Sequence, residues 1–223
     1  MTLPREEVLE GLQDELVRFG ELVGSLSPDE LAQPTRCAGW TVGDVAAHMI
    51  GDMADITSGR FDRVGNPELS QSIVDERKGN TAAELVEELQ GVQKAGADIM
   101  AVLDDDAWAG PAPGDFGIPM GEGVEALWYD AYVHGEDIRA ALGRPATTGP
   151  GLRASVSHLA DLLSQQSWGP ATLALDGMSE FPVSGGGGQR VTGDPLEFVL
   201  AATGRTHPST LGLDDTVNVY REQ

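Results

Sequence analysis

Two capping boxes commit this chain to helices and set where they begin. In Thr41-Val-Gly-Asp44 and Thr81-Ala-Ala-Glu84 a hydroxyl is followed three residues later by a carboxylate. That spacing lets each side chain accept from the other residue's backbone N–H at a helix start. Behind the first box, Val42, Val45, Met49, Met53 and Ile56 recur at helical spacing, with His48 beside the stripe. Behind the second, Leu85, Leu89, Val92, Ile99, Met100 and Leu103 do the same. A segment from Pro4 to about Leu26 carries Val8, Leu12, Leu16, Phe19 and Val23, and Ser27 to Leu31 reads as a short helical turn. Another runs from about Gly121 to Leu142, with Val124, Leu127, Ala131, His134 and Ile138 on its buried stripe; Gly143 stops it and Pro145 follows. A fifth, about Gly151 to Gln166, is patterned by Leu152, Val156, Leu159 and Leu163.

The pattern changes after that. Ala171 to Leu175 and Gln189 to Thr192 read as short strands, Gly185 to Gly188 as a flexible turn, and Pro195 to Thr203 as a short helix. The fold expected is mainly α, a four-helix bundle over residues 1–167 followed by a small α+β domain over 168–223. The polar stretches Gly59 to Asn80 and Asp104 to Pro119 read as surface connections.

Composition narrows the function. Fourteen basic against 36 acidic side chains leave a net charge of −22, which repels phosphate backbones and anionic membranes. Neither nucleic acid nor membrane is expected as a partner. One cysteine, Cys37, allows no internal disulfide, and the start Met1-Thr-Leu-Pro-Arg-Glu-Glu lacks the basic and apolar runs of a secretory signal. The expected location is the cytoplasm. Cys37 has no neighbouring base and reads as a packed residue rather than a nucleophile.

Asp130 and His134 stand four residues apart and therefore share a helix face, and His48 offers a second imidazole. Two imidazoles and one carboxylate make a catalytic type of zinc site with an open position. The same residues also read as hydrogen-bonded interior histidines beside an acid, and spacing alone leaves both readings open.

Longer motifs surround these residues. Pro34-Thr-Arg-Cys-Ala-Gly-Trp40-Thr-Val-Gly-Asp44-Val-Ala-Ala-His48 and His134-Gly-Glu-Asp137-Ile-Arg139-Ala-Ala-Leu-Gly143-Arg-Pro145 resemble the mycothiol-dependent maleylpyruvate isomerase family of the DinB-like metalloenzymes. The stretch Gly193-Asp194 to Gly204-Arg205 is similar to that family's small C-terminal domain. The resemblance implies a divalent ion, most commonly zinc, held by His48, Asp130 and His134. The family more often has Glu where this chain has Asp130. It implies mycothiol or another low-molecular-weight thiol as cosubstrate, and an electrophilic small molecule as its acceptor, in isomerisation or S-transfer. Asp137 is similar to an acidic residue of the family's His-x-x-Asp segment, and Arg205 to a Gly-Arg that can face an anionic ligand. The alternative is a non-catalytic metal- or small-ligand-binding protein of the same fold.

Overall fold

A computed structural model describes residues 3–114 and 116–221. Contacts divide the chain into two compact units, one spanning Arg5–Thr147 and the other Thr148 onward together with the N-terminal residues through Pro4.

The first unit is built on α1 (Arg5–Gly24), α3 (Val42–Thr57), α5 (Ala82–Met100) and α7 (Met120–Ala141). Helix α1 packs on α5 and α7, and α3 packs on the same two, which closes a four-helix ring. The apolar stripes meet inside it: Phe19 and Val23 of α1, Val45 and Met49 of α3, Leu89 of α5 and Ile138 of α7 are all buried in one cluster. Each such side chain contributes roughly 1.5–3 kcal/mol on leaving water. Where α1 crosses α7, a Cβ at Gly11 would lie 2.1 Å from the Trp128 ring, so only glycine admits that indole. Short helices complete the unit: α2 (Pro28–Leu31), α4 (Pro67–Asp75) and α6 (Asp105–Ala109).

Helix α4 lies inside the stretch expected as a loop, and α6 inside the second connection. Both have sequence causes too short to show as periodicity. Asn66 Oδ1 accepts from the Glu68 N–H to start α4, and Ile73 and Val74 are buried. A Cβ at Gly51 of α3 would stand 2.2 Å from Ile73 Cγ2, so α4 sits against a helix surface cleared of side chain. Arginines pin the stretch: Arg63 reaches both the buried Asp55 and Glu76, and Arg77 pairs with Glu88 at 2.6 Å. For α6, Asp104 caps the helix and Trp108 lies over Gly121.

The second unit holds α8 (Pro150–Gln165), β1 (Ala171–Leu175), β2 (Phe181–Val183), β3 (Gln189–Gly193) and α9 (Pro195–Ala202). The sheet order is β2-β1-β3, with β2 antiparallel and β3 parallel to β1. Leu173 pairs with Phe181 on one side and Val191 on the other. Burial alternates along β1, and Leu173, Val183 and Val191 are fully covered. Strand β2 escapes sequence reading because it is three residues long with Pro182 at its centre, which is tolerated only at a sheet edge. Gly185 to Gly188 turn with positive φ throughout, and a Cβ at Gly188 would strike the Pro170 carbonyl at 2.1 Å.

Helix α8 packs on α9 and β2. The contact boundary therefore falls at Thr147/Thr148, ahead of the 167/168 division expected from the change in pattern. A helical period reports only that a segment is helical, not which sheet or bundle its apolar face meets.

Candidate metal centre

The Thr41 capping box sets the phase of α3. Thr41 Oγ1 accepts from the Asp44 N–H, and Asp44 Oδ2 accepts from the Thr41 N–H at 2.8 Å. Seven residues on, His48 meets the His134 ring of α7 edge to face, with centroids 5.1 Å apart. Trp40 flanks His48 with ring centroids 4.8 Å apart and donates its indole N–H to Gln71 of α4 at 3.0 Å.

His48, Asp130 and His134 each offer a ligand atom, and these atoms all lie within 4.8 Å of one another. His134 Nε2 is 3.4 Å from Asp130 Oδ1. Two ligands about 2.1 Å from one tetrahedral ion stand about 3.4 Å apart, so this pair is spaced for a shared ion. The imidazole side chains are almost covered, at 12% and 10% exposure, while Asp130 retains 31%. Two nitrogens and one oxygen are a donor set suited to zinc, and the residues fit the ion that the sequence implied.

Asp137 occupies the opposite side of His134. Its Oδ2 lies 3.0 Å from His134 Nδ1 and 3.2 Å from the Cys37 thiol that donates to it. Its Oδ1 accepts from Arg36 Nε at 2.5 Å. The carboxylate is wholly buried. Cys37, His134 and Asp137 also converge as possible ligands, but the Arg36 guanidinium already supplies Asp137 with its cation. The group reads as a brace: with the ring proton held on Nδ1, Nε2 is the nitrogen turned to Asp130.

Electrostatics follow from burial and crowding. Burial opposes a charged ring at His134, yet the charge of Asp130, hydrogen bonds accepted by the Asp130 and Asp137 carboxylates, and one shared with Cys37 outweigh it and raise the pKa well above the usual histidine value. Asp52, one turn after His48, is pushed up to about 7, first by burial and then by the nearby charge of Asp130.

Residues 12–139 match the family described as the mycothiol maleylpyruvate isomerase N-terminal domain. The chain belongs to that family. Its fold agrees with a solved structure described as a mycothiol-dependent maleylpyruvate isomerase, at 19% identity and a TM-score of 0.65, over 92% of this chain and 90% of that one. A histidine-to-alanine mutant of such an enzyme superposes over the same shares with a TM-score of 0.61 and 19% identity. Comparison with curated proteins returns no match. The architecture is thus the DinB-like bundle with a small α+β unit that the motifs implied.

Of the residues singled out from sequence, His48, Asp130, His134 and Asp137 come together within the bundle. Arg205 belongs to the other unit, in the turn after α9, where its N–H bonds the Leu200 carbonyl at 2.7 Å. It borders an open depression of about 650 Å³ with Arg221, His207 and Asp214. Arg144 pairs with Glu30 at 2.8 Å and Arg139 with Glu136 at 3.5 Å. Sequence reasoning passed over Arg36 and Asp52. Nothing in a one-dimensional pattern marks Arg36, which reaches Asp137 across 101 residues, whereas Asp52 was visible as an acid one turn beyond a histidine.

Proposed function

We propose that this protein is a cytoplasmic, metal-dependent enzyme that uses mycothiol or a related low-molecular-weight thiol on an electrophilic small molecule. The observation that carries the reading is the convergence of two imidazoles and a carboxylate from α3 and α7 in a nearly covered position. His48, Asp130 and His134 would hold a divalent ion, zinc by donor preference. When bound, the ion supplies a Lewis acid that favours the thiolate form of the thiol near neutral pH.

The chain's own residues do the rest. Asp137, braced by Arg36 and Cys37, keeps the His134 proton on Nδ1 and is a positioning residue, since its full burial denies it contact with substrate. The apolar bundle around the imidazoles limits water. Arg205 is assigned, from the family resemblance, to an anionic end of the substrate.

Maleylpyruvate, the substrate named for the similar enzyme, is the first candidate. Thiolate addition to a cis double bond forms one C–S bond and moves the electron pair onto the adjoining carbonyl as an enolate. Rotation about the new single bond and expulsion of the thiolate give the trans isomer with composition unchanged. Where the acceptor carries a leaving group, the same thiolate performs S-transfer by displacing it.

Elemental analysis of the wild type beside His48→Ala and His134→Ala, with mycothiol titrated by calorimetry, tests the reading. About one metal per chain is expected, lost in both variants together with thiol binding. Turnover of maleylpyruvate or another electrophile by the metal-replete wild type then separates an enzyme from a binding protein. Metal and thiol binding with no turnover across a broad electrophile panel would leave the non-catalytic alternative in its place.

A further inference from the structure

We infer that Asp52 is the positioning carboxylate of His48, keeping the imidazole proton on Nδ1 so that Nε2 is the atom presented to the ion. The inference rests on the metal reading above. Asp52 lies one turn beyond His48 on α3, with its Oδ1 3.8 Å from His48 Nδ1. Its side chain is nine-tenths buried, and Oδ1 has no hydrogen-bond partner among the described residues. A buried carboxylate oxygen left without a donor is costly, and such groups persist where a function needs them.

The neighbouring histidine shows what that function is. His134 turns Nδ1 to the buried Asp137 at 3.0 Å and Nε2 to Asp130. His48 turns the same nitrogen to a buried acid on its own helix. Asp52 does not belong to the cluster of converging ligand atoms, which is His48, Asp130 and His134, so its place is behind the histidine rather than on the ion. The gap of 3.8 Å lies just outside hydrogen-bond range. Seating Nε2 on a metal fixes the ring and gives the carboxylate a defined N–H to accept.

The two backing acids differ in what else holds them. Asp137 has Arg36 and Cys37 as additional donors, whereas Asp52 Oδ1 has no hydrogen-bond donor among the described residues. Asp52 therefore gives little to the metal-free fold and acts mainly through the imidazole.

The test compares the wild type, Asp52→Ala and Asp52→Asn in zinc competition against a chromophoric chelator. Long-range ¹⁵N–¹H NMR of the zinc-loaded wild type and melting of the zinc-free proteins complete it. Removing such a carboxylate is expected to weaken zinc roughly 10–100-fold, with Asp52→Asn recovering part of the loss because its amide oxygen still accepts from Nδ1–H. Zinc-free Asp52→Ala is expected to melt no lower than the wild type, an outcome that a merely structural acid would not give. The NMR spectrum should show His48 protonated at Nδ1. A zinc affinity for Asp52→Ala within about twofold of a zinc-binding wild type, or a His48 metallated through Nδ1, overturns the inference. Should the variants fail to fold, the wild-type spectrum alone decides between the two nitrogens. A wild type that binds no zinc removes the triad itself, which is a different failure.

Discussion

Helices α3 and α7 face each other with the same equipment, a histidine and acids one turn away, yet hold it differently. On α7 both nitrogens of His134 have carboxylates in reach, and the acid behind it is tied to the loop before α3 through Arg36 and Cys37. On α3, His48 stacks beside Trp40, with Asp52 waiting just beyond bonding distance. One half of the centre is preorganised by a charged network. The other is held by helix phase and ring packing, so its polar geometry depends on what arrives between the helices. Two histidines with near-identical spacing can thus differ in rigidity, because rigidity comes from tertiary donors.

The largest expected effect breaks the α7 side. Asp137→Ala leaves the partly buried Arg36 guanidinium, the Cys37 thiol and His134 Nδ1 without their acceptor, and should cost roughly 3 kcal/mol in chemical denaturation. A loss below that of an ordinary surface substitution would mean that α7 is no better braced than α3. Next comes the packing that carries α4 onto α3. Gly51→Ala places a methyl 2.2 Å from Ile73 and 2.7 Å from Arg77. It should destabilise by roughly 1–3 kcal/mol in thermal or urea unfolding, with increased hydrogen exchange in α4.

Helix phase is tested by Thr41→Ala. Loss of the cap should cost about 1 kcal/mol. Helix α7 has no equivalent device, since its N-cap, Pro119, makes no side-chain cap bond. If phase is what places His48, this variant should also loosen metal binding, whereas an equal loss of stability from a surface change elsewhere should not.

The smallest effect lies near the C-terminal end of α7, where Arg144 reaches Glu30 of α2. The Ser27 backbone N–H, and then Arg144, hold the Glu30 carboxyl down to about 2 from 4.5. A depressed carboxyl stabilises the fold above its unfolded value, and that contribution is lost as pH falls from about 4.5 through about 2. Arg144→Ala should raise the Glu30 pKa by NMR titration and lower stability slightly above about pH 4.5, a difference from the wild type that disappears as pH falls through about 2.

Legibility in sequence followed the range of the physical signal. The long helices were readable because an apolar residue every three or four positions and a hydroxyl–carboxylate box are local facts about the chain. Helix α4 was hidden in a polar stretch whose Ile73 and Val74 become a buried face only where Gly51 lets them approach. The motif around Trp40 and His48 pointed to the centre, and the convergence of His48 with Asp130 and His134 gives that pointer a geometry. Arg36 stayed silent because its partner is 101 residues away.

By itself, then, the sequence determined the long helices, roughly where they begin, the net acidity and the family, since each rests on spacing, composition or a contiguous motif. The tertiary structure alone decided which unit α8 joins, which nitrogen of His134 is braced, and that Asp52 is sealed beside His48 without a donor for Oδ1. Those outcomes depend on distances and water exclusion between segments far apart in the chain, which local periodicity does not encode.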